Sequence, residues 1–274
     1  NIHWQYISPL TLSLLSKVIE LLLRRLVFLS VFEPFFMLYI FFMEITKFYS
    51  KNFDKKKRNH KNITTIILHY TGMQSERESV KRLTTSSSKV SCHYLINRRG
   101  KIFRLVKDEN VAWHAGKSMW GKYKNLNKNS IGIELVNRGH KFGYQTFPKI
   151  QIKKLVKLCK FLMKKYNIKK KLILGHSDIA PLRKIDPGEK FPWNYLSSKG
   201  IGIYPNKIFK KRRNNLILKN ELFFNNLYKI GYRYLDTKLK KKIIKNFQRR
   251  YRQKKINGIL DQETLKISEF LTKN

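Results

Sequence analysis

The chain has 274 residues, 42% hydrophobic and 13% aromatic, which allows a sizeable packed core and excludes disorder of the whole chain. Its formal net charge of +42 points to an anionic partner. The excess of Lys over Arg, with plentiful Asn and Ile, also fits codon drift in a genome rich in A and T, so charge alone does not establish nucleic-acid binding. The two cysteines, Cys92 and Cys159, form no CxxC pair, which excludes a disulfide framework and argues against a thiolate metal site.

The first fifty residues are apolar but interrupted by Lys17, Glu20, Arg24, Arg25, Glu33, Pro34 and Glu44. A membrane span needs about 20 uninterrupted residues, and bridging these charges would cost about 3 kcal/mol each. The segment reads as a poor signal anchor, an interfacial helix, or an upstream extension of the reading frame with translation starting near Met43. The last is the expectation adopted, and membrane association follows only if the segment is genuine.

Residues 51–62 (KNFDKKKRNHKN) read as a basic linker. ITTIILHY (63–70) is a β-branched run expected to be a buried strand. Residues 76–84 read as a helix, and VSCHYLI (90–96) with KIFRLV (101–106) as a hairpin across the Arg99–Gly100 turn. SIGIELV (130–136) is a further strand, residues 149–166 an amphipathic helix, and KLILGH (171–176) another buried strand. The pattern predicts an α/β (α+β) fold, a mixed central sheet flanked by helices. A weakly patterned basic stretch (206–220) precedes a small three-helix domain at 221–273.

Of the seven histidines, His3 and His60 lie in unpatterned segments, His140 is expected in a solvated loop, and His93 inside a strand, hydrogen-bonded to backbone. His69 and His176 differ, because each ends an apolar strand and strand ends converge at one rim of a sheet. Two imidazoles suit a catalytic zinc, which takes three protein ligands and keeps one open position. Asp178 and Asp186 are both available as the third ligand, and spacing does not choose between them. No HExxH is present.

Five segments together, LHYTG (68–72), AWHAG (112–116), IGIELVN (131–137), GHSDIAPLRKIDPG (175–188) and FPW (191–193), resemble the zinc-dependent N-acetylmuramoyl-L-alanine amidases related to peptidoglycan-recognition proteins. The resemblance covers residues 60–205, in the family's order and spacing. It implies His69, His176 and Asp186 as zinc ligands, leaving Asp178 to stabilise the loop. It also implies Glu134 and Lys184 as catalytic residues, and Trp113, His114 and Gly116 as bordering the substrate. The implied reaction is hydrolysis of the amide joining the muramoyl lactyl group to the L-alanine of the stem peptide, during peptidoglycan turnover or recycling. The partners so implied are peptidoglycan or anhydro-muropeptide fragments, with no nucleic acid.

The C-terminal segments LYKIGY (227–232), IKNFQRRYR (244–252) and INGILD (256–261) are similar to three-helix peptidoglycan-binding modules, with Phe247 as core. The alternative there is an accessory that only packs on the catalytic domain. Secreted relatives of this architecture can be anchored through an N-terminal cysteine, and no cysteine precedes Cys92. A cytoplasmic recycling enzyme is therefore expected, with a membrane-anchored envelope protein as the alternative. Two other functions compete: a non-catalytic wall-recognition module and, with no recognisable nucleic-acid motif behind it, a basic nucleic-acid-binding protein.

Overall fold

The computed structural model describes residues 45–205 and 219–273, so the expectations for residues 1–44, the start near Met43 included, lie outside it. The strands are β1 (Ile45–Lys47), β2 (Phe53–Asp54), β3 (Thr65–Tyr70), β4 (Tyr94–Ile96), β5 (Ile102–Arg104), β6 (Val111–Ala112), β7 (Met119–Trp120), β8 (Tyr123–Lys124), β9 (Ser130–Leu135) and β10 (Ile173–Gly175). Among the described residues, six of them form the main sheet in the order β1-β5-β4-β9-β3-β10. β4 and β5 are antiparallel and the other neighbours parallel. The sheet is mixed, as the strand pattern predicts.

At the centre, Thr65, Ile66, Ile67 and Leu68 of β3 are all buried. That is why this strand is an unbroken apolar run rather than an alternating one: both of its faces are covered. Helix α1 (Glu76–Thr84) starts at Ser75, whose hydroxyl accepts from Glu78 N. Helix α2 (Lys149–Tyr166) buries the stripe Ile152, Leu155, Leu158, Cys159 and Leu162, and ends at Asn167 in the left-handed conformation (φ 51°). Gln151 is buried on it and donates to the carbonyls of Ile96 (2.9 Å) and Val136 (3.2 Å), stitching α2 to the strand ends.

Short helices α3 (His176–Ile179) and α4 (Trp193–Ser198) follow β10, and then α5 (Lys219–Ile230), α6 (Lys240–Tyr251) and α7 (Gln262–Thr272). Asp261 caps α7 by accepting from Thr264 N. Phe223, Leu227, Tyr232, Phe247 and Leu265 of the C-terminal region share one apolar cluster with Ile67 of β3, Leu174 of β10 and Ile179 of α3. Phe247 is core, as expected. Its cluster is continuous with the core of the sheet. Among the described residues, no helix is long and apolar enough to cross a membrane.

The structure departs from the sequence pattern at three places. The 51–62 linker contains β2, paired with β6, and a buried Arg58 whose guanidinium donates to the carbonyls of Asp108, Asn127 and Ser130 (3.0, 3.0 and 2.7 Å). With the Lys128 carbonyl at 3.3 Å, four backbone acceptors make up for the burial of a cation that a charge pattern places in solvent. The strand expected from residue 90 begins at Tyr94, because Ser91 turns its backbone N–H to the Trp113 carbonyl. The strand expected to end at His176 is only Ile173–Gly175. The Asp178 carboxylate accepts from Gly175 N at 2.6 Å, so His176 opens α3 instead of closing β10.

Candidate metal centre

β3 and β9 run parallel in a register that pairs His69 with Glu134. Side chains alternate across a sheet, so these two stand side by side at the C-terminal end of the sheet. The third contributor comes from the loop after α3, which returns so that Ser177 N donates to the Asp186 carbonyl at 2.9 Å. His69 Nδ1 lies 3.0 Å from His176 Nδ1 and 3.0 Å from Asp186 Oδ2, and His176 Nδ1 lies 3.1 Å from Asp186 Oδ2. All three residues are buried. Asp178 is elsewhere: its carboxylate takes the Gly175 N–H, the Tyr232 hydroxyl at 2.9 Å and the Arg250 guanidinium.

The outer nitrogens determine what the inner ones can do. His176 Nε2 donates to the Ala115 carbonyl at 3.1 Å. His69 Nε2 donates to His114 Nδ1 at 3.0 Å, His114 Nε2 to Ser130 Oγ at 3.3 Å, and Ser130 Oγ to the Leu126 carbonyl at 2.6 Å. With each ring proton committed outward, both Nδ1 lone pairs face Asp186 Oδ2 and no proton lies between them. Three acceptors converging on one point could hold a cation between them, and two imidazoles with a carboxylate are a donor set that zinc takes.

Electrostatics agree with that arrangement. Burial, reinforced by the neighbouring His176, pushes the His69 imidazole down to about 4, so it is neutral at physiological pH as a ligand must be. Burial, with the nearby charge of Asp186, raises Glu134 to about 8, and Lys184 pulls the other way. Glu134 Oε2 is buried and has no hydrogen-bond partner among the described residues. Such an atom is costly unless a ligand or water completes it.

These groups line one cleft of about 270 Å³, walled by Tyr70, Arg82, Trp113, His114, Glu134, Arg183 and Lys184 around the triad. Trp113 is anchored by its indole N–H to Asp54 at 2.7 Å. His114 is buried and meets the cleft as the partner of His69. Gly116 is outside the lining: its φ of +56° and the Arg183 guanidinium, 3.3 Å from where a Cβ would sit, account for the glycine. Gly132 explains the "GIE" motif, since a Cβ there would lie 2.4 Å from the His114 ring.

His93 is buried and bonded to backbone as expected, accepting from Gly132 N at 2.9 Å. His140 is exposed but not merely solvated. It bonds Tyr70 and Glu189 and stacks on Tyr144. Tyr70 and Arg183 also line the cleft; both lie inside the quoted segments, but no local spacing marks either as facing the site.

A family profile described as N-acetylmuramoyl-L-alanine amidase matches residues 59–189. The chain is 33% identical over 229 residues, 76% of its length and 82% of the relative's, to the N-acetylmuramoyl-L-alanine amidase AmiD of Escherichia coli (strain K12). It is 34% identical over 168 residues, 54% of its length and 89% of the relative's, to the 1,6-anhydro-N-acetylmuramyl-L-alanine amidase AmpD of Haemophilus influenzae. Among solved structures, the complex of E. coli AmiD with anhydro-N-acetylmuramic acid-L-Ala-D-gamma-Glu-L-Lys superposes with a TM-score of 0.68 at 31% identity, covering 80% of this chain and 91% of that one. AMPDH3 from Pseudomonas aeruginosa gives 0.70 at 30%, covering 81% and 96%. With its converging triad and this extent of likeness, the chain belongs to the N-acetylmuramoyl-L-alanine amidase family.

Proposed function

We propose that the protein is a zinc-dependent amidase that hydrolyses the bond between the muramoyl lactyl carbonyl and the L-alanine nitrogen of a muropeptide. The observation carrying this reading is the convergence of His69 Nδ1, His176 Nδ1 and Asp186 Oδ2 beside a buried, unpartnered Glu134 Oε2. The relatives support the substrate class, since AmiD was solved with an anhydro-muramoyl peptide described as its substrate and AmpD is named for the anhydro form.

His69, His176 and Asp186 would hold the zinc, which when bound supplies Lewis acidity toward a carbonyl and lowers the pKa of water to about 7. Glu134 acts as general base, taking the proton from the attacking water and passing it to the departing alanine nitrogen. The carbon–oxygen bond forms first, giving a tetrahedral oxyanion; its collapse breaks the carbon–nitrogen bond as the nitrogen takes the proton from Glu134, leaving a lactyl carboxylate and a free amine. Burial raises this carboxyl to about 8 in the metal-free site, and a dication held by the triad would favour its ionised form, the one that accepts a proton. Lys184, on the cleft wall, carries the charge that stabilises the oxyanion. Trp113, held by Asp54, offers a flat apolar wall to the sugar or peptide.

The test is release of an L-alanine-terminated peptide from purified anhydro-muropeptide, followed by mass spectrometry. Turnover should stop in a chelator and return with Zn²⁺; undiminished turnover in chelator refutes the mechanism. A cytoplasmic setting is part of the same proposal and is checked by fractionating the native cell. Wall affinity of residues 221–273 is proposed as well, supported by a groove between Lys241 and Ile259, and is checked by co-sedimentation of the full chain with purified sacculi.

A further inference from the structure

The loop that carries Lys184 and Asp186 is held from outside the amidase sheet. Asn246, Arg249 and Arg250 follow the i, i+3, i+4 spacing of a single face of α6, Gln253 lies just past its end, and all four bond to residues 173–191. Asn246 Nδ2 donates to the carbonyls of Pro181 (2.6 Å) and Lys184 (2.9 Å). Arg249 donates to the Asn246 side-chain oxygen Oδ1, which turns the amide so that its N–H groups face the loop, and to Glu189 Oε2 at 3.0 Å. Arg250 donates to the Ile173 carbonyl at 3.0 Å and pairs with Asp178, with its guanidinium 3.8 Å above the Trp193 ring. Gln253 donates to the Phe191 carbonyl at 2.6 Å.

Asn246 and Arg250 are buried, so these bonds are made away from water, where a carbonyl left without its donor is costly. The contacts reach the main chain of Lys184 itself and flank Asp186 through Pro181 and Glu189. None of these four side chains lines the cleft, so they act through the loop rather than on substrate.

We propose that this face of α6 is a positioning device for the catalytic loop. Through Asn246 above all, the helical region sets the cation affinity and turnover of the amidase site. The proposal rests on the amidase reading and is separate from any wall affinity of the same helices.

The experiment compares Asn246→Leu with Asn226→Leu in the full chain. The second removes a buried amide that bonds Ser268 at 3.0 Å within the C-terminal helices and touches no part of the loop. Zn²⁺ affinity is measured by competition with a fluorescent chelator, kcat and KM on a soluble muropeptide, and stability by thermal melting. Asn246→Leu should weaken Zn²⁺ binding by about 10–100-fold, the scale for groups that orient ligands, and lower kcat more than it raises KM. Asn246→Gln, which keeps the donor, should recover part of both. Asn226→Leu should lower the melting temperature with affinity and kcat near those of the parent.

Should Asn246→Leu fail to fold, Arg249→Met takes its place, with the same direction expected. Parental affinity and kcat in Asn246→Leu would overturn the proposal. So would an equal loss in Asn226→Leu at matched melting temperature. A parent chain that binds Zn²⁺ but shows no turnover would sink the amidase reading alone, and the affinity comparison would still decide this one.

Discussion

His69 and Glu134 are register partners on adjacent parallel strands, so one candidate ligand and the candidate base are placed together by main-chain hydrogen bonding rather than by loop geometry. The base should therefore be separable from the ligand. Glu134→Gln is expected to lower kcat by about 10²–10⁴-fold with Zn²⁺ affinity nearly unchanged, whereas Asp186→Ala should abolish both. A steady-state assay with a Zn²⁺ titration distinguishes them. Equal loss of metal in the two variants would show that Glu134 belongs to the ligand set.

Lys184→Ala tests the other half of the chemistry. Removal of an oxyanion donor costs about 10²–10³ in kcat, and KM should move little. A pure KM effect would reassign Lys184 to substrate binding.

The relay from His69 through His114 to Ser130 makes a prediction away from substrate. His114→Phe leaves His69 Nε2 without its acceptor, and Zn²⁺ affinity should fall about 10–100-fold. Gly132→Ala should do the same indirectly, since its Cβ would fall 2.4 Å from the His114 ring, and overpacking should destabilise the fold by about 1–3 kcal/mol. Equilibrium metal competition on both variants is the measurement.

Acid lability follows from buried neutral imidazoles. Burial and the Arg58 charge push His93 down to about 3, below its unfolded value of about 6.5. Between those values the unfolded chain binds the extra proton. The His93 contribution is therefore fully present above about pH 6.5 and is lost as pH falls toward 3, at about 1.4 kcal/mol per pH unit. His93→Asn, which keeps an acceptor for Gly132 N, should flatten that slope in urea melts of the metal-free protein. An unchanged slope would remove His93 from the account.

Burial raises the thiols of both Cys92 and Cys159, Cys92 further through the Glu134 charge. Neither should react with a thiol reagent in the native state, and both should react after denaturation. Rapid labelling of a folded sample would contradict their burial.

Local pattern alone was enough to determine β3, α1 and α2. A β-branched run and an apolar stripe each act within a few residues of themselves. It also singled out His69 and His176, because an apolar strand ending in histidine is legible from neighbours. Only the fold could decide between Asp178 and Asp186 on physical grounds. The choice depends on Arg250 and Tyr232, more than fifty residues downstream, which occupy Asp178 and leave Asp186 to face the imidazoles. For the same reason no pattern marks Asn246 or the burial of Arg58: their partners are carbonyl oxygens, which every residue carries, and only tertiary packing selects which ones a side chain meets.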